Sequence, residues 1–177
     1  LSEITMSIMQ KQRMRDPESG YARDFIKMLK IIMPQCRDKG IKLIANAAGV
    51  NAPACLAATK QALSEIGLQG VRIGIVEGDD ILDKLDVLTN AGEELVNMDT
   101  GAALASVKNE IISANVYIGA ASIVEALQQG ADIVITGRAS DPSLAVAPLV
   151  YEFGWSFEDF DKIASATVLG HIIECGP

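Results

Sequence analysis

The chain has 177 residues, 49% of them hydrophobic and 21% charged, which is an ordinary globular composition at the length of one domain. Its formal net charge of −8 opposes phosphate backbones and anionic membrane surfaces, so nucleic acid and membrane are excluded as partners. No apolar run reaches the roughly 18 residues a membrane span requires.

Aromatic residues make up only 5% of the chain, so the core must be built from Ile, Leu, Val, Ala and Met. Small aliphatic cores of this kind suit buried parallel strands covered by helices. Cys36, Cys55 and Cys175 are odd in number and widely spaced, without a CxxC pair. That usage fits a reduced, cytoplasmic chain better than a disulfide framework. The chain opens on Leu1 at the head of a helical pattern and stops at Gly176-Pro177. We therefore expect one α/β domain over 1–177, cut from a longer protein, with at least one sheet strand before residue 1.

In chain order, Ile4, Ile8 and Met14 mark the apolar stripe of a first helix, ended by Asp16-Pro17 and Gly20. Phe25, Leu29 and Ile32 mark a second, with Pro34 expected to kink or stop it and Gly40 to close it. An alternation of strands and helices follows. Strands are expected at 41–45, 71–76, 111–118 and 131–136, and helices at 51–66, 80–88, 120–129, 141–151 and 156–174. Ser156 with Asp159 gives the last helix a capping-box start. The segment 92–110 has no clear period and is long for an unstructured loop in a compact domain. The alternation predicts an open, mostly parallel, doubly wound sheet with helices on both faces, of flavodoxin or Rossmann type. A partial (β/α) barrel is the alternative, since a full barrel needs eight strands and about four are visible.

Ligands of parallel α/β sheets bind beyond the carboxyl ends of the strands, so the turns there are the candidate site. In the first turn, Asn46 offers a hydrogen-bonding amide, Gly49 a free backbone, and Asn51 a cap that presents the next helix N-terminus to an anion. The same residues also suit a plain strand-to-helix turn. In the second, Asp79 and Asp80 pair carboxylates that could bind Mg²⁺ through water or act as acid and base, or divide into a helix cap and a solvated side chain. Asn115 falls inside the expected third strand, where it must find a ligand or brace the long loop before it.

The fourth turn, Thr136-Gly137-Arg138-Ala139-Ser140-Asp141-Pro142, follows the most apolar strand. There Gly137 permits a sharp turn, Asp141-Pro142 begins a helix, and Arg138 sets a permanent cation beside that helix N-terminus. A carboxylate or phosphate is its natural ligand, and a mere pair with Asp141 is the alternative. His171, Glu174 and Cys175 share one helix face and could form half a metal site, but His171 is the sole histidine. A satisfied, half-buried histidine and inert, packed cysteines are the expectation there. The chain has no GxGxxG, no GxxxxGK(S/T) and no GxSxG, so neither a nucleotide nor a metal is implied as cofactor. No residue is marked as catalytic.

These motifs, taken together, resemble the acyclic terpene utilisation AtuA family. The likeness runs through Arg15-Asp16-Pro17 with Gly20-Tyr21, Asn46 to Asn51, Glu77-Gly78-Asp79-Asp80, Asp99-Thr100-Gly101 and Ser113-Ala114-Asn115. It continues through Ile135 to Asp141, Glu152-Phe153-Gly154-Trp155, and Gly170 to Gly176. Two departures stand out: Ala48 replaces a usual glycine, and the proline after Asn51 is delayed to Pro53. The resemblance implies an N-terminal family domain truncated at both ends and a link to the breakdown of branched isoprenoid acids or acyl-CoA thioesters. A CoA thioester is then a possible substrate, and a homo-oligomer or the rest of a longer chain a possible partner.

Two functions are compatible with these features. One is an enzyme domain of the lyase, hydratase or hydrolase class that binds a small anionic ligand. In it Arg138 holds the acid, Asn46 and Asn115 polarise a carbonyl, and Asp79, Asp80 or Asp141 carries protons. The other is a non-catalytic scaffold or partner-binding domain, suggested by the scarcity of His and reactive Cys.

Overall fold

The computed structural model describes residues 2–176. Helix α1, Glu3–Arg15, starts from Ser2, whose hydroxyl accepts the Thr5 N–H at 3.4 Å. Its buried face is Met6 and Met9, while Ile4, Ile8 and Met14 face solvent, the reverse of the stripe expected from spacing. The reason lies in what α1 rests on. Met9 sits over the glycine backbones of two turns: a Cβ at Gly49 would lie 2.5 Å from Met9 Sδ and 2.6 Å from Gly20 O. The orientation of α1 follows from those bare backbones and not from the branched side chains along it.

Helix α2, Arg23–Lys39, buries Phe25, Leu29, Met33 and Cys36. Pro34 neither stops nor ends it. Pro34 lies on the exposed side, where solvent can take the Lys30 carbonyl that loses its partner. Gly40, at φ 65°, closes the helix in the left-handed region. Strand β1 is Leu43–Ala45, helix α3 Ala52–Glu65 and strand β2 Ile73–Val76. A 3-10 turn at Leu82–Lys84 leads into the short α4, Leu85–Asn90. The expected unpatterned segment holds an isolated Val96–Ala103 bridge and two further 3-10 turns. Then come α5, Ala120–Gln128, strand β3, Ile133–Thr136, and helices α6, Ser143–Phe153, and α7, Phe160–Cys175. Ser156 and Asp159 do bond to each other's turn, but α7 begins only at Phe160.

Among the described residues, three parallel strands form one open sheet in the order β1-β3-β2, with helices on both faces and no closure into a barrel. The last strand in sequence is the middle one in space, and all its residues are buried. Its side chains alternate, as a strand must. Ile133 and Ile135 enter the core made with α2 and α3, whereas Val134 enters the core made with α5, α6 and α7.

The strand expected at 111–118 does not form. Only single bridges occur, Asn115 to Asp80 and Ile118 to Ala139. The segment passes across the carboxyl ends of β2 and β3: Val116 N donates to Asp79 O at 2.8 Å, and Ile118 N to Arg138 O at 3.0 Å. Its β-branched residues therefore line the turns of the sheet and do not extend it, with Val116 and Tyr117 exposed.

Candidate functional site

The strand order places the turn after β3 between the turns after β1 and β2, so the carboxyl edge gathers three of the four turns singled out above. Asp79 links two of them. It follows Gly78, whose φ of 112° reverses the chain after β2, and it is buried. Asp79 Oδ2 accepts the Arg138 backbone N–H at 2.7 Å and the Asn115 amide at 3.0 Å. Such bonds hold a buried carboxylate where water cannot. A Cβ on Gly137 would stand 2.0 Å from Asp79 Oδ1, so this seat exists only because residue 137 has no side chain.

Arg138 points the other way. It is 3% exposed, and a buried cation is costly unless its donors are met. Nη1 donates to Ala139 O and to Asp141 Oδ1, both at 2.8 Å. Nη2 donates to Glu3 Oε1 at 2.9 Å, reaching the first turn of α1. The guanidinium carbon lies 4.2 Å from the centre of the Tyr117 ring. Burial works against the charge, but the bonds to Asp141 and Glu3 outweigh it and hold Arg138 more firmly protonated than a free arginine. The Nε–H alone is buried without a partner. Glu3 also accepts from the Tyr117 hydroxyl. That bond first, then its own backbone N–H and Arg138, hold its carboxyl down at about 2.

Arg138, Glu3, Met6, Ser113, Asn115 and Tyr117 line a cavity of about 150 Å³. On the other side of Asp79, a cleft of about 220 Å³ opens between the turns, lined by Arg13, Gly49, Glu77, Asp79, Asp80 and Gly137 among others. Arg13 is fixed there by donating to Val50 O.

The candidate residues thus fall into groups. Asp79, Asn115, Gly137, Arg138 and Asp141 converge. Asp80 is exposed and turns forward to accept the Leu82 N–H at 3.1 Å at the start of the 3-10 turn, whereas Asp79 is buried and is neither a cap nor solvated. Asp141 pairs with Arg138 and does not cap α6, whose first residue follows Pro142. Thr136 is fully buried, its hydroxyl donating to Gly137 O at 2.9 Å. Gly49 meets Met9 of α1. Asn51 caps α3 through Ala54 N, and its amide donates to Pro17 O and Ser19 O at 2.7 Å each. Its side chain ties the chain segment between α1 and α2 to the first turn. Asn46 is half-buried just past β1.

Glu3, Arg13 and Tyr117 were not among the residues singled out from sequence. Glu3 and Arg13 lie on α1, and nothing in local spacing tells that this helix reaches across the sheet edge. At the far end of the chain, His171 and Cys175 are exposed on α7, contrary to the half-buried and packed positions expected, whereas Cys36 and Cys55 are buried. Among the described residues no three His, Cys, Asp or Glu side chains are grouped to hold a metal, and no helix is long and apolar enough to cross a membrane.

Comparison with known proteins matches residues 1–177 to the model of the acyclic terpene utilisation family protein AtuA. No curated protein and no solved structure matches the chain. The family match spans the same motifs that meet at the sheet edge, from Asn46 to Asp141. The chain belongs to the acyclic terpene utilisation AtuA family.

Proposed function

We propose that this chain binds a small organic anion at the carboxyl ends of its strands, as part of the catabolism of branched isoprenoid acids or their acyl-CoA thioesters. The observation that carries this reading is Arg138: a buried, permanent cation held against a cavity by a backbone turn that Asp79 fixes from behind. Surface arginines need no such support. A guanidinium anchored on one side and open to a cavity on the other is the arrangement that carboxylate recognition requires. Asn115, on the same cavity wall, supplies an amide to a neighbouring carbonyl oxygen. Asp79 accepts two hydrogen bonds and serves to hold the turn, which leaves Asp141 and Asp80 as the acidic groups for any proton transfer. The reaction class that fits these groups is that of a lyase, hydratase or hydrolase, in a cytoplasmic setting.

The test is a thermal-shift screen of the full chain against branched carboxylates and their CoA thioesters, repeated with Arg138→Met. A ligand that raises the melting temperature of the wild type and not of Arg138→Met supports the reading. A ligand that stabilises both equally overturns it.

The bare outer edges of β1 and β2 favour a second reading, a scaffold or partner-binding domain. Grooves of about 460 and 480 Å³ run along them, lined by Leu43 and Ile44 in one and by Ile73 to Val76 in the other. No response across the ligand screen, with a concentration-dependent mass in solution, favours that alternative.

A further inference from the structure

We propose that the Glu3 carboxylate is an internal stand-in for the ligand, and that the ligand is a short free carboxylate which takes its place on Arg138. This rests on the reading of Arg138 as an anion site.

A guanidinium is planar, and its Nε–H and one Nη2–H point along the same edge, spaced for the two oxygens of one carboxylate. In Arg138 both Nη1 donors are taken, by Ala139 O and Asp141. On the remaining edge Glu3 meets Nη2 with a single oxygen, and the Nε–H is left buried without an acceptor. A buried unpaired donor on an ion costs more than the missing bond gains, so an acceptor for it is the absent piece of this site. Glu3 meets Arg138 through Oε1 only, the same oxygen that accepts from Tyr117. A free carboxylate has no such tie and can occupy the whole edge.

The exchange is an easy one. The Glu3 side chain is 66% exposed, so on leaving Arg138 it returns to water and not into apolar surroundings. It sits at the end of α1, one turn before Met6, which lines the same cavity. The volume of about 150 Å³ matches a benzene-sized guest, or about six heavy atoms, with Met6 and the Tyr117 ring to meet an apolar chain. Asp141 already neutralises part of the cation, and Asp79 lies behind the turn, so a dianionic phosphate would meet more repulsion than a monoanion. The free acid, with a short branched chain, fits better than the phosphates of a CoA thioester.

The experiment is calorimetric titration of the full chain with 3-methylbutanoate and, separately, with inorganic phosphate. Wild type is compared with Glu3→Gln, Arg138→Met and the exposed charge control Glu158→Gln. If Glu3 occupies the site about nine-tenths of the time, its neutralisation tightens 3-methylbutanoate about tenfold, because the competent fraction sets the apparent affinity. Glu158→Gln should match the wild type, and phosphate should show no comparable gain. No tightening in Glu3→Gln, with binding still abolished by Arg138→Met, overturns the stand-in role and leaves the anion site in place. Equal binding by wild type and Arg138→Met overturns both. A gain for phosphate as large as that for the acid overturns the carboxylate assignment, and so does the absence of 3-methylbutanoate binding in every variant. Should Glu3→Gln fail to fold, Tyr117→Phe removes one of the bonds that hold Glu3 and should tighten the acid a few-fold; an unchanged affinity there overturns the proposal.

Discussion

Asp79 and Arg138 meet through a backbone bond, not a salt bridge: the carboxylate accepts the Arg138 N–H at 2.7 Å. The guanidinium is directed instead to Asp141 and Glu3. One residue therefore contributes its main chain to the frame and its side chain to the cavity. The glycine before it makes this possible, since the Asp79 carboxylate fills the space a Cβ would take.

Gly137→Ala tests that seat directly. Its φ is not in the left-handed region, so the penalty comes from the clash alone. Asp79 must withdraw and lose its bonds to Arg138 N and Asn115. We expect a loss of about 2–4 kcal/mol, from overpacking and from unmet buried donors. Urea unfolding should show a lower midpoint with an unchanged slope. In an Asp79→Ala background the same substitution should cost far less, because the clash has no partner.

Asn51 gives a second test, since its acceptor caps α3 and its donors hold Pro17 O and Ser19 O. Asn51→Ala loses all of these and should cost about 2–4 kcal/mol in urea unfolding. Asn51→Asp keeps the cap but turns a carboxylate toward two carbonyls. It should recover little of that loss, whereas an Asn-to-Asp change at an exposed cap is nearly neutral.

The pH dependence of Glu3 has a definite sign. Its carboxyl, ordinarily near 4.5, is held at about 2 in the folded chain. A lowered value means the folded state favours the charged form, so the contribution is fully present above 4.5 and fades as pH falls toward 2. The melting temperature of wild type should exceed that of Glu3→Gln by a small, constant amount above about pH 5, and the two should converge on acidification. The difference should shrink in high salt, because Glu3 is at the surface.

The thiols should react in a fixed order. Burial pushes the Cys55 thiol up to about 11, and Cys36 is buried with it in the core beneath α2 and α3. Cys175 is exposed, but its bond to Glu174 and then the charge of that carboxylate raise its pKa. Titration of the native chain with a chromogenic disulfide should modify Cys175 alone, with the other two reacting only on unfolding. Glu174→Gln should speed the Cys175 reaction several-fold at neutral pH, and an unchanged rate would remove the carboxylate as the cause.

Most of the sheet was legible because buried parallel strands are short apolar runs bounded by turn residues. Leu43–Ala45, Ile73–Val76 and Ile133–Thr136 each lie within the run that marks them. The segment 111–118 carries the same signal and is not a strand, because apolar residues that cover the end of a sheet look, in one dimension, like those that extend it. The α1 face was misread for a related reason. Ile4 and Ile8 have the helical spacing, but the surface that receives the helix is made of Gly20 and Gly49, whose backbones admit Met9. Around the site, Arg138 and Asp141 were legible from their position after the most apolar strand. Glu3 was not, because its role depends on a contact across 135 residues of sequence that no local pattern encodes.

The central place of β3 also sets an order in time. β1 and β2 pair with β3 and not with each other, and Leu43 precedes its partner Ile133 by about 90 residues. At a synthesis rate of about 5–20 residues per second, β1 waits roughly 5–20 s for that partner to be made. During that interval β1 and β2 lack the strand they pair with, and Glu3 lacks the guanidinium that binds it. The cavity around Arg138 thus cannot form before β3 and the turn after it are made, and any nascent chain that stops before β3 carries α1 without the guanidinium it closes on.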